Sequence, residues 1–222
     1  VGALEGGTGA MTNSIAIGKD AMSSTNVRNL DANIAIGINA MDSTFGGTVT
    51  DCIAIGRDSM HHASNQLNGA TGSIGIGAYT LQDLTTGDNN VALGYQSGNS
   101  MTTANGATAV GAYSLDANTS GGEVVAIGYQ ALTAESFGGQ VVAVGYQALK
   151  NQNKAGNSYN TAIGSQVGRN ITNGEHNSLA GYRAGETLTT GDENILIGGS
   201  SDVSTADAQN QIVIGKGATG VG

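Results

Sequence analysis

Two successive stretches decide the fold: Val124-Val125-Ala126-Ile127-Gly128-Tyr129-Gln130-Ala131-Leu132 and Val141-Val142-Ala143-Val144-Gly145-Tyr146-Gln147-Ala148-Leu149. Before each Gly, aliphatic and small residues alternate with a period of two, and the aliphatic ones are β-branched; this is the pattern of a short strand with one buried face. A helical reading fails on glycine alone, since each Gly inside a helix costs about 1 kcal/mol relative to Ala.

The same phrase returns along the whole chain. It ends at Gly18, Gly37, Gly56, Gly77, Gly94, Gly111, Gly128, Gly145, Gly164, Gly181, Gly198 and Gly215, spaced by 17, 19 or 21 residues. Spacings that differ only by even steps keep the alternation in phase. The residue before Gly is aliphatic in every copy except at Ala180, and the residue three before it is β-branched except at Ser178. Between them stands a small residue, usually Ala, until Leu179, Leu196 and Val213 replace it. Four residues past the Gly comes Met22, Met41, Met60, Leu81, Leu115, Leu132 or Leu149, with Gly98, Gly168 and Gly185 in other copies. Polar stretches such as Thr85-Thr86-Gly87-Asp88-Asn89-Asn90 then supply turns. Each unit is two short extended pieces joined by two turns.

A unit of this size cannot fold alone. Ordering about 17 residues costs roughly 25 kcal/mol, while three buried aliphatics return about 1.5–3 kcal/mol each. Stacking must supply the difference, so the fold expected is all-β: a parallel β-solenoid of about twelve coils, with strands about 4.8 Å apart. Residues 1–12 read as a lead-in or incomplete coil and 13–222 as one continuous repeat domain. The aliphatic ladders are expected inside, with the Ala strip (Ala16, Ala35, Ala54, Ala92, Ala109, Ala126, Ala143 and Ala162) outside, where neighbouring chains pack on it. The alternative is that Ala faces the coil's own interior and the aliphatics lie outside. Asn33, Asn90, Asn160, Asn177 and Asn194, just before the phrase, are expected to stack at a corner and bond to each other or to turn backbone.

Composition narrows function. Of 222 residues 37 are Gly and none Pro or Trp; charged residues are 11% and aromatic ones 4%, too few for an enzyme-like pocket. A net charge of −9 opposes nucleic acid and anionic bilayers. Cys52 is alone, so no intrachain disulfide forms. No apolar run is long enough to span a bilayer. The chain does not begin with Met, which points to a processed or excised segment.

At the stretches V-V-A-I-G-Y-Q-A-L, T-T-G-D-N-N-V-A-L-G-Y-Q-S-G and N-T-A-I-G the sequence resembles the YadA-like head repeats of trimeric autotransporter adhesins, and more closely their longer-period relatives in bacteriophage tail fibres. The resemblance covers residues 13 to 222. It implies a left-handed β-roll, a homotrimer whose rolls pack side by side, and attachment to a host. The expected partners are sister chains and a host cell-surface glycan or protein receptor, with no nucleic acid and no membrane insertion. The expected location is the virion tail fibre or, alternatively, the bacterial cell surface, as the head of an adhesin that binds host matrix. The units of 17 to 21 residues and the Tyr-Gln after Gly depart from the shorter adhesin unit and favour the phage relatives.

Few residues suggest chemistry. Gly215-Lys216-Gly217-Ala218-Thr219-Gly220 spells a dinucleotide fingerprint, but it has no following helix to receive a pyrophosphate. His61, His62 and His176 are the only imidazoles, and adjacent residues in an extended segment point apart. No catalytic motif and no cofactor signature is present. Candidate contacts are the aromatics: Tyr95, Tyr129, Tyr146 and Tyr182, which share the slot after Gly, and Phe45 and Phe137, each followed by two Gly in a turn. The longer gaps between Gly18 and Gly77 and between Gly145 and Gly164 are where specific contacts are expected. A polysaccharide-degrading spike would need clustered carboxylates, and an ice-binding face a regular T-x-T array; neither pattern is seen.

Overall fold

A computed structural model describes residues 10–23, 25–26, 29–42, 44–45, 47–62 and 67–221. These residues form strands and turns and no helix. They fall into two compact units, residues 1–107 and 108–222. In the first, β1 (Ala10–Thr12), β2 (Ile15–Ile17), β3 (Thr25–Asn26), β4 (Asn29–Asp31), β5 (Ile34–Ile36), β6 (Thr44–Phe45), β7 (Thr48–Thr50), β8 (Ile53–Ile55), β9 (Ile74–Ile76) and β10 (Val91–Leu93) follow in chain order. The phrase strands β2, β5, β8, β9 and β10 pair in parallel, Ile15 on Ile34 on Ile53 on Ile74 on Val91. The longer coils of this unit add a second parallel sheet of β1, β4 and β7 and a third of β3 and β6. Residues 1–9 of the expected lead-in lie outside the described residues, whereas Ala10–Thr12 already pair with Asn29–Asp31 as part of this stack.

The second unit contains β11 (Thr108–Val110), β12 (Val124–Ile127), β13 (Val141–Val144), β14 (Thr161–Ile163), β15 (Ser178–Ala180), β16 (Ile195–Ile197) and β17 (Ile212–Ile214). Each pairs in parallel with the next in chain order. The expected β-solenoid is therefore present in each unit.

The glycine that ends each phrase is required twice over. Its φ lies between +125° and +143° in every copy. A Cβ on Gly111 would sit 2.6 Å from the carbonyl oxygen of Gly128 in the next coil, so only glycine lets successive corners stack this closely. Non-glycine residues also take positive φ: Gln130 (+54°) and Gln147 (+53°) two past the Gly, Leu132 (+51°) and Leu149 (+48°) four past it, Gln140 (+55°) and Tyr159 (+54°) five before it. Such a conformation costs about 1–3 kcal/mol and persists where neighbours over-determine it. Here the next or previous coil does so: Gln147 N–H donates to Tyr129 O at 2.9 Å, and Leu132 N–H to Ala148 O at 3.1 Å.

The core corrects one expectation. Ala35, Ala54, Ala92, Ala109, Ala126, Ala143 and Ala162 are fully buried, while the aliphatics on either side of them face outward. The Ala strip lines the interior and is not a surface for neighbouring chains. Coil width is the reason. The Met or Leu four past the Gly (Met41, Met60, Leu132, Leu149) is fully buried, and it leaves room for no more than a methyl at the strand's centre. Where that slot is Gly168 or Gly185, Leu179 and Leu196 take up the space: a Cβ on Gly168 would lie 2.9 Å from Leu149 Cδ2 and 2.9 Å from Leu179 Cδ1.

The corner asparagines behave as expected. Asn90 Oδ1 accepts from Ala107 N at 2.9 Å, and its amide donates to Ala104 O at 2.7 Å. Asn177 accepts at Oδ1 from both the backbone and the side chain of Asn194, each at 3.0 Å. These bonds satisfy buried turn backbone just before each phrase.

Candidate interaction surfaces

Because Ala turns inward, the residues flanking it form two outward columns on the phrase sheet. In the first unit all ten positions are aliphatic: Ile15, Ile17, Ile34, Ile36, Ile53, Ile55, Ile74, Ile76, Val91 and Leu93. Ile17 is 58% exposed and Leu93 44%. In the second unit Thr108, Thr161, Ser178 and Ala180 interrupt the columns, yet Ile163 is still 51% exposed and Ile197 46%. An ordered apolar array of this kind on a folded chain is a candidate interaction surface.

One residue beyond the corner Gly, the predicted tyrosines line the edge of that face, and all are exposed: Tyr95, Tyr129, Tyr146 and Tyr182. Tyr129 and Tyr146 stack with centroids 5.7 Å apart and planes 10° from parallel, Tyr113 meets Tyr129 edge-on, and Tyr79 meets Tyr95 edge-on. Arg183 lies 5.3 Å over the Tyr182 ring. The facing rings of Tyr129 and Tyr146 are taken up by each other, so this column works first as packing. Beside it Gln147 donates to Gln130 Oε1 at 2.8 Å and Arg183 Nε to Gln166 Oε1 at 3.0 Å, an amide ladder set by the 17-residue register.

Phe137 is a turn residue, 60% exposed, as expected. Phe45 lies in β6, where its backbone neighbour is Asn26; its side chain is outside the described residues. His61 sits between two carboxylates, Nδ1 at 3.7 Å from Asp58 and Nε2 at 3.9 Å from Asp42. Among the described residues no group of three or more His, Cys, Asp or Glu is arranged to hold a metal. The Cys52 thiol is buried, and desolvation pushes it up to about 11, which disfavours the thiolate.

Sequence reasoning missed two features. The interior column of the second unit turns polar at Asn118, Glu135 and Gln152, all fully buried, with Gln152 donating to Glu135 at 3.0 Å and Gly138 N–H to Glu135 at 2.7 Å. Near it, Asp116 is pushed up to about 6 by burial, its Oδ1 without a hydrogen-bond partner. The second feature is a surface strip through Glu123, Gln140, Asn157, Tyr159 and His176. Glu123 and Gln140, Asn118 and Glu135, and Glu135 and Gln152 each stand 17 apart, the one signal that placed them together.

No family model, no curated protein and no solved structure matches the chain.

Proposed function

We propose that this chain is a structural and adhesive segment of a bacteriophage tail fibre, a homotrimeric rod of left-handed coils that supports or carries attachment to a host surface receptor. The observation that carries the reading is the double aliphatic column. Stacked coils satisfy one another's backbone and fill the interior, yet present Ile, Val and Leu outward at fixed spacing. A monomer in water has no use for that face, whereas identical chains set side by side bury it around a shared axis. The repeat's resemblance to tail-fibre and adhesin-head sequences supports the number three and the handedness. Sparse charge and the lack of a catalytic constellation in the sequence suit a scaffold with binding turns rather than an enzyme.

The second reading, a bacterial adhesin head that binds host matrix, rests on the same repeat. Incubating the fluorescently labelled chain with bacterial cells and, separately, with collagen- and fibronectin-coated surfaces separates the two. Saturable binding to a bacterial strain supports the fibre segment, binding to matrix alone supports the adhesin head, and binding to neither overturns attachment as the role of this segment.

A further inference from the structure

We infer that the strip running through Glu123, Gln140, Asn157, Tyr159 and His176 in the second unit is a binding site for a linear, neutral oligosaccharide. This rests on the attachment reading and names the ligand class and the place.

The residues form one continuous array on the exterior. Gln140 Nε2 donates to Glu123 Oε2 at 2.9 Å, Asn157 Nδ2 to Gln140 Oε1 at 2.7 Å and to Tyr159 Oη at 3.4 Å, and the Tyr159 ring stacks on His176 with centroids 4.9 Å apart and planes 21° from parallel. All five side chains are exposed. The ladder fixes each amide and carboxylate before any ligand arrives, so little side-chain entropy is lost on binding. It leaves Glu123 Oε1 and Asn157 Oδ1, acceptors suited to sugar hydroxyls, beside an aromatic pair that offers a surface for the apolar face of a pyranose. The groups stand on successive coils, spaced along the stack at about the 4.8 Å of neighbouring strands, which favours a linear ligand lying along it. Glu123, Glu175 and Glu193 and the overall negative charge disfavour an anionic glycan, and Lys154, three residues before Asn157, already pairs with Glu175 at 3.3 Å. The 19-residue coil between Gly145 and Gly164 supplies two of the five members, Asn157 and Tyr159. The tyrosines after Gly compete poorly for this role, because they border the exposed aliphatic face that the proposed assembly buries.

The test is saturation-transfer NMR of the full chain with maltohexaose, cellohexaose and chitohexaose at millimolar concentration, with heparin as the anionic control. Transfer from at least one neutral hexaose is expected, with none from heparin. Tyr159→Asn, which keeps a residue tolerant of positive φ, is expected to weaken binding by about tenfold or more, and Asn157→Ala, an exposed change that spares the fold, by a smaller factor. No transfer from any neutral hexaose overturns the inference, as does binding lost in Tyr146→Ala but kept in Tyr159→Asn and Asn157→Ala. If the chain binds cells and Tyr159→Asn binds them equally well, the strip is wrong and the attachment reading survives; if the chain binds no surface, that reading fails by itself.

Discussion

At the scale of single residues, corner glycines and one aspartate show how tightly position dictates chemistry. Gly111→Ala adds a methyl at a φ of +125° and against the Gly128 carbonyl, with nothing flexible in the way to yield. It is expected to cost at least about 3 kcal/mol, read as a lowered midpoint in denaturant unfolding. Asp116 has the opposite sign. Burial holds its folded-state pKa at about 6, above the ordinary 3.8, so its contribution is fully present below about pH 4 and lost as pH rises through 6. Above that the buried carboxylate, with Oδ1 unpaired, is a liability. Asp116→Asn is therefore expected to stabilise the chain by about 1 kcal/mol at pH 7.5, after discounting for solvent screening, and to have no such effect at pH 4. Thermal unfolding at the two pH values checks this.

Around Gly168 and Gly185 successive coils exchange volume across the interior. Gly168→Leu should clash with Leu149 and Leu179, and Leu179→Ala should leave a cavity; each is expected to cost about 2–4 kcal/mol. Together they restore the Ala-plus-Leu arrangement of neighbouring coils, so the double variant is expected to be more stable than the sum of the singles by at least about 1 kcal/mol. Additive losses in a double-mutant cycle would show that the two positions do not share one space. The ingredients of this exchange were legible in the sequence: Gly168 and Gly185 replace Leu just where Leu179 and Leu196 replace Ala. The strands, their parallel order and the corner asparagines could likewise be read from periodicity, because alternation and even spacing admit one stacking. Which face turns inward could not be read from alternation alone. Period two assigns residues to two faces without saying which is the core, and the usual preference for burying Ile over Ala pointed the wrong way. The decision lay in the opposite wall, where Met and Leu leave only a methyl's width. The oligosaccharide strip was hidden for another reason: its members lie on the variable turns, where residue type carries no repeat, and only the 17-residue register aligns them.

At the scale of the whole molecule, the outward aliphatic face is the feature that most needs a partner. In the first unit it is unbroken over five paired strands; in the second it is relieved by Thr, Ser and Ala, so contact between copies is expected to be tightest along the first unit. The measurement that tests this most directly is sedimentation equilibrium of the wild-type chain beside an Ile55→Lys/Ile76→Lys variant, both confirmed as β-structured by circular dichroism. The wild type should sediment at three times its 22.0 kDa chain mass and the variant at a lower mass, since two buried lysines per chain lack partners in the shared seam. A folded wild-type chain that sediments at 22.0 kDa would contradict the account.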